Sequence, residues 1–186
     1  MGEDFNERVL GGGMVVKGNK ITLKILSPED VTQNYVAWMQ DEEVVQFMES
    51  RWKSYTLDTL KYYVKRMDAS RNDYLFGIYA NDNNEHIGNI KIGGINFIHN
   101  FGNLGLFIGN KEKWGGGYGA EAVKLATEYA FHELNLNKLT AGIYENNKGC
   151  YRAFLNAGYN EAGRLKKHRL YKDEYVNQVI VEKCNE

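Results

Sequence analysis

The stretch Trp114-Gly115-Gly116-Gly117-Tyr118-Gly119-Ala120-Glu121-Ala122 decides the fold, because a strand runs into it and a helix begins within its glycines. Glycine leaves backbone N–H groups bare enough to crowd around an anion, and a helix N-terminus adds about half a positive charge. That chemistry suits a phosphate or pyrophosphate. A Walker A loop would end in Gly-Lys-Ser/Thr, which is missing here. Gly115-x-Gly117-x-x-Ala120 matches the dinucleotide fingerprint, but that fingerprint follows its strand directly. Here Asn110–Trp114 intervenes, and no further βαβ array follows. A glycine-rich turn that merely starts a helix is the reading without a ligand. The chain has 20 Gly and one Pro, and ten of the glycines lie between Gly88 and Gly119. Such a concentration is expected where backbone comes close to something.

Working outward, residues 86–98 and 103–109 read as strands joined by the turn His99-Asn100-Phe101-Gly102, and 74–80 as a strand before them. After the loop a helix runs over 117–134, with Ala122, Leu125, Ala126 and Tyr129 as its buried stripe. Residues 138–144 read as a strand, 148–157 as a helix, and 159–165 and 175–183 as strands. Near the start, 20–26 alternate as a strand. Ser27-Pro28-Glu29-Asp30 reads as a helix start, with Val31, Tyr35 and Trp38 on the helix's inner face. A short helix is expected within 41–49, and Thr56 caps another over 57–69 with Leu60, Val64 and Met67 as its stripe. The expectation is one α+β domain over 14–186, a mixed, mostly antiparallel sheet of about six to seven strands flanked by helices. Residues 1–13 read as a flexible leader.

Composition excludes several classes. The 186 residues are 43% hydrophobic and 25% charged, with a net charge of −1. A generally basic nucleic-acid or membrane-surface binder would look different, so neither partner is expected. No stretch approaches 18 uninterrupted apolar residues. Cys150 and Cys184 are the two cysteines and define no disulfide framework, which fits a reducing, cytoplasmic setting. The histidines at 86, 99, 132 and 168 show no zinc spacing, and no metal is expected.

A second motif follows about thirty residues after the loop: Asn147-Lys148-Gly149-Cys150-Tyr151-Arg152-Ala153-Phe154-Leu155-Asn156-Ala157-Gly158-Tyr159. Residues 114–119 resemble the acetyl-CoA pyrophosphate loop of the GNAT superfamily of N-acetyltransferases, whose pattern is Gln/Arg-x-x-Gly-x-Gly/Ala, with Trp114 standing where Gln/Arg is commonest. Residues 147–159 resemble that family's Asn-x-x-Ser/Ala helix ending in Gly-Phe. Trp-Gly-x-Gly-Tyr followed by Glu-Ala is similar to the subgroup around the ribosomal-protein acetyltransferases RimJ and RimL. The resemblance implies acetyl-CoA as co-substrate. It implies that backbone groups of Phe107, Ile108 and Gly109 pair with the pantetheine arm, and that Trp114, Gly115, Gly116, Gly117, Tyr118, Gly119 and Ala120 surround the pyrophosphate. Asn147 would bond the pantetheine or, on its own, serve as a plain helix N-cap. The strands at 103–109 and 139–144 would splay apart to hold the thioester.

The resemblance also implies direct transfer of acetyl to an amine, with a base to remove a proton and backbone amides to polarise the thioester carbonyl. The position where many members carry a proton-donating Tyr holds Phe154, which cannot donate and is left among the cofactor-binding residues. Cys150 or Tyr151 could take the donor role, and the alternative for each is packing. Glu145, at a strand end beside the cleft, and His168 are the candidate bases; a solvated strand end and a solvated hairpin are the alternatives. The basic run Arg164–Lys172 could attract a nucleotide-linked substrate or an adenosine 3′-phosphate, or form a solvated face. Asp41-Glu42-Glu43 with Met48-Glu49-Ser50-Arg51 is similar to the acceptor-side segment of RimJ/RimL-like proteins. It nominates Glu49 and Arg51 for substrate binding, with a surface ion pair as the alternative. The expected acceptor is a small-molecule amine, a nucleotide-linked amino sugar being one candidate. Acetylation of a protein N-terminus and a non-catalytic acyl-CoA-binding module stand as alternatives. A homodimer is common in such folds and is kept as an expectation.

Overall fold

The computed structural model describes residues 14–185; the leader expected over 1–13 lies outside them. The strands are β1 (Val15–Lys17), β2 (Ile21–Ile25), β3 (Tyr74–Ala80), β4 (His86–Asn96), β5 (Phe101–Ile108), β6 (Lys138–Tyr144), β7 (Asn160–Tyr171) and β8 (Glu174–Cys184). The helices are α1 (Gln33–Gln40), α2 (Glu42–Val45), α3 (Leu57–Asp68), α4 (Tyr118–His132) and α5 (Lys148–Asn156). The strands form one sheet in the order β1-β2-β3-β4-β5-β6-β8-β7. Eight strands stand where six or seven were expected. The extra one is β1, three residues long and too short to show alternation, held by antiparallel pairing of Val16 with Leu23.

Two local expectations are corrected. Ser27 and Asp30 do cap one another, with the Ser27 N–H and hydroxyl donating to Asp30 Oδ2 at 2.8 and 2.7 Å. They enclose only a 3₁₀ turn, Pro28–Asp30, because Val31 turns extended; the helix itself starts at Gln33. The strand expected over 159–165 continues to Tyr171, passing a register shift between Leu165 and Arg169 where Lys167 takes φ +49°.

The sheet is mixed, and describing it as mostly antiparallel misses the ladder that matters. β5 and β6 run parallel, but only through the pairs Phe101–Lys138, Gly102–Leu139 and Asn103–Thr140. Beyond Asn103, β5 stays with β4 as far as Ile108, while β6 stays with β8 as far as Tyr144. The sheet therefore opens into a wedge between the C-terminal halves of β5 and β6.

Strand alternation sends successive side chains to opposite faces and builds a core on each. Phe76, Ile78 and Ile90 pack with Ala122, Val123, Ala126 and Ala130 of α4. On the other face Leu26 and Leu75 pack with Tyr35, Met39, Leu60 and Val64 from α1 and α3, and Phe107 joins them. The wedge thus has α4 and α5 toward one side and α1–α3 toward the other.

Candidate functional site

Two cavities open from the wedge, of about 640 and 730 Å³. They share Phe47, Met48, Leu106, Phe107, Asn147 and Cys150, so they are two arms of one cleft. The smaller arm runs to the glycine loop, and the larger runs under α3.

In the smaller arm, Gly117 is the N-cap of α4 at φ +84°, and Gly115 sits at φ +74°. Left-handed backbone costs an L-residue about 1–2 kcal/mol, so glycine is required for this turn. Gly115, Gly117, Tyr118, Gly119 and Ala120 all line the arm, as does Trp114. Gly116 instead turns its carbonyl to the Lys20 ammonium at 2.8 Å. The Glu121 carboxylate accepts from the backbone N–H groups of Asn19 and Lys20, which ties the loop to the β1–β2 turn. Trp114 donates its indole N–H to the Ile108 carbonyl at 2.8 Å and so folds the loop back on β5. Lys148 and Arg152, four apart on α5, line this arm with Lys113, against one carboxylate, Glu43, which is already bonded by Lys111.

The alternation of β5 corrects one implied contact. The Gly109 N–H donates to Ile87 O at 2.8 Å, and the Phe107 carbonyl lies over Gly88. Both residues therefore direct their peptide groups toward β4. Asn100 O, of the same parity as Ile108, accepts from the start of β6. Leu104, Leu106 and Ile108 consequently turn their amides and carbonyls into the wedge. Gly109 is glycine for another reason: a Cβ there would strike the Trp38 indole at 2.1 Å.

The larger arm is built from side chains. Thr59, Tyr62, Tyr63 and Arg66 share one face of α3 at i, i+3, i+4 and i+7, and they line it with Tyr35, Tyr55, Lys53, Glu49 and Tyr144. Burial pushes the Tyr63 hydroxyl up to about 12 and Tyr35 higher still, so both stay neutral and able to donate. At the end of β6 the Tyr144 hydroxyl donates to Glu49 Oε1 at 2.6 Å and accepts from Arg51 Nη1 at 2.9 Å. Burial, and then Glu49, raise its pKa. The other Glu49 oxygen pairs with Arg169 at 3.3 Å.

Of the expected catalytic residues, Cys150 alone lines the cleft. Burial pushes its thiol up to about 12, far above an ordinary thiol near 8.5, so it is a poor source of a proton. Glu145 is turned to β8, where its carboxylate accepts from the Asn177 N–H at 2.8 Å and its side-chain amide at 3.0 Å. Tyr151 donates to Glu161, itself bound by Arg164 and held down at about 2 by these bonds. His168 is exposed on β7, the edge strand, and the basic run around it lines neither arm. Arg51 is committed to Tyr144, Met48 O and Leu170 O, and so ties the 48–51 turn to the ends of β6 and β7. Asn147 is the N-cap of α5, accepting from Cys150 N at 3.1 Å, and also lines both arms. Phe154 is buried at the cleft floor, edge-on to Tyr159. Tyr144, Lys148, Arg152 and the α3 face were not found from sequence. For α3 a signal existed, a polar and aromatic stripe beside the apolar one.

A parallel pair parts over a glycine-capped helix, with a cationic arm on one side of the gap. The sequence profile described as "Acetyltransferase (GNAT) domain" matches residues 20–160, and the chain belongs to that family. Over 111 residues it is 31% identical to a probable N-acetyltransferase, YjcK, of Bacillus subtilis, covering 57% of this chain and 58% of that protein. The chain spans little more than half the length of the curated relatives it matches. The fold is shared with the ribosomal-protein-S5-alanine acetyltransferase of Vibrio fischeri (TM-score 0.80, 16% identity, 93% and 97% of the two chains). It is also shared with the spermidine N-acetyltransferase of Vibrio cholerae in complex with CoA and spermine (TM-score 0.78, 19% identity, 90% and 96%). Among the described residues no helix is long and apolar enough to cross a membrane.

Proposed function

We propose that the chain transfers the acetyl group of acetyl-CoA to a primary amine of a small molecule. The observation that carries this reading is the end of the β5–β6 ladder at Asn103–Thr140, with the two arms meeting in the gap. The smaller arm supplies loop amides, the α4 N-terminus, Lys148 and Arg152 for the phosphates of coenzyme A. The Leu104 and Leu106 peptides and the Ile108 N–H supply backbone pairing for the pantetheine, the Ile108 carbonyl being held by the Trp114 indole, and one N–H on that edge would meet the thioester oxygen as charge develops there.

The amine enters from the larger arm. Among the described residues Glu49 is the one carboxylate lining that arm, exposed and held by Tyr144. In the proposed step Glu49, directly or through water, takes a proton from the ammonium. The freed lone pair attacks the thioester carbon, and the tetrahedral oxyanion collapses with loss of the CoA thiolate. The thiolate then takes a proton from the new amide's nitrogen or from solvent. A thiolate is a stable leaving group, so neither Phe154 at the usual donor position nor the reluctant Cys150 thiol blocks the step. A volume of about 730 Å³ roofed by α3 supports a small acceptor over a peptide, and a nucleotide-linked amino sugar fits within the class. Kinship to the RimJ/RimL-like subgroup rests on the sequence motifs. Thiol release with acetyl-CoA and a panel of amines tests the reading. Glu49→Gln is expected to lower kcat by about 10²–10⁴-fold. An unchanged kcat would reject Glu49 as the base.

A further inference from the structure

The charge of the larger arm does not suit every amine. Its lining carries three cations, Lys53, Arg66 and Lys91, and one carboxylate, Glu49, in a chain whose net charge is −1. Lys91 is answered by Asp73 at 3.4 Å, and Glu49 by Arg169 at 3.3 Å. No carboxylate among the described residues forms an ion pair with Lys53 or Arg66, which leaves two uncompensated positive charges. The two come from different elements: Lys53 from the segment that carries Glu49, Arg66 from the last turn of α3. Both are solvent-exposed, so nothing in the core holds them there.

A polyamine carries several positive charges, and in this arm it would meet two more against one already paired carboxylate. An acceptor whose amino group is accompanied by a negative group meets the reverse. Its amine turns to Glu49 and Tyr144 at the end of β6, and its anion turns to the cations. Arg66 lies seven residues beyond Thr59 on the same helix face, roughly 10 Å along the axis. Tyr62 and Tyr63 flank Arg66 on that face and supply flat surface for the body of the molecule.

We propose that the acceptor is an amine that also bears a phosphate or carboxylate, and that the positive charges of Lys53 and Arg66 attract this anion and turn polyamines away. The assignment rests on the acetyltransferase reading above.

The test measures thiol release by the full chain at saturating acetyl-CoA. Matched acceptors are glucosamine against glucosamine 6-phosphate and hexylamine against 6-aminohexanoate, with spermidine as the polycation. In at least one pair the anionic member is expected to exceed its partner in kcat/KM by about ten- to hundredfold, with spermidine below it. Which pair responds separates phosphate from carboxylate. In the K53E/R66E double variant that ratio is expected to fall to about one or below, and in R66Q to an intermediate value, while acetyl-CoA affinity by calorimetry stays unchanged. Spermidine turned over as well as the anionic amines, or a ratio untouched by the double variant, overturns the assignment and leaves the acetyltransferase reading standing. Acetyl-CoA binding with no thiol release from any of these amines overturns both this assignment and the small-molecule reading. Failure to bind acetyl-CoA overturns the cofactor reading of the glycine loop, and this assignment with it.

Discussion

The two arms of the cleft solve recognition with different materials. The smaller arm is made of backbone: a turn at positive φ, the first amides of α4, and the unpaired edge of β5. The larger arm is made of side chains delivered by α3, the 49–55 segment and the end of β6. Backbone recognition is generic in sequence but exacting in conformation, so it tolerates almost nothing at a few glycines. Side-chain recognition is the reverse, because Lys53, Arg66 or Tyr62 can change without touching the fold. On the proposed reading, one arm fixes a common co-substrate, and the other is free to differ in its acceptor.

The sharpest way to break this comparison is Gly117→Glu. A side chain forced to φ +84° and a carboxylate at the pyrophosphate position are expected to lower coenzyme A affinity by at least about 100-fold. Calorimetry gives the affinity, and an unchanged far-UV circular dichroism spectrum shows the fold intact. Unchanged affinity would remove the loop from the smaller arm.

An intermediate effect concerns the support beneath the larger arm. His86 is stacked on Tyr79 and edge-on to Trp38 and Tyr35; its Nε2–H donates to Gly88 O at 3.0 Å and Asn89 Oδ1 at 2.7 Å. Burial lowers its pKa below the ordinary 6.5. The unfolded chain therefore binds a proton that the folded chain resists. His86 lowers stability progressively as pH falls from about 6.5 toward its folded value, and the loss levels off below that value. The urea midpoint is expected to drop between pH 7 and 5, and His86→Gln, which keeps a donor but does not titrate, to flatten that drop. Equal slopes in both proteins would exclude His86 as the group responsible.

The smallest expected effects are at positions outside both arms. His168→Ala is expected to leave kcat within about twofold, as suits an exposed edge-strand residue. Glu145→Gln, which keeps an acceptor for Asn177, is expected to do the same. A hundredfold loss in either would restore it as the base and place the chemistry beyond Glu49.

These contrasts also explain what was legible in the sequence. Gly115, Gly117 and Asn147 advertise local conformations that few residues adopt, so the smaller arm and both its helices could be located from spacing. The β5 edge needed parity as well as position. Of Phe107, Ile108 and Gly109, only Ile108 turns its peptide groups away from β4, although the Phe107 residue lines both arms, and no local pattern fixes which residue begins the alternation. The same single step separates Glu145, which clamps β8, from Tyr144, which enters the cleft. The larger arm was hidden because Lys53, Arg66 and Tyr144 come to line one cavity only after α3 has packed on the sheet. Their nearness is a tertiary fact with no signature at short range.

The ties between the glycine loop and the β1–β2 turn carry a consequence for timing. Lys20 holds the Gly116 carbonyl, and Glu121 holds the Asn19 and Lys20 amides, so the loop is cross-braced by protein alone. Its order is established when the sheet forms, and little conformational entropy remains to be lost when a nucleotide arrives. If the loop is the phosphate site proposed above, capture and release of the co-substrate are expected to need no loop closure, leaving the pace of exchange to diffusion and to the strength of the phosphate contacts themselves.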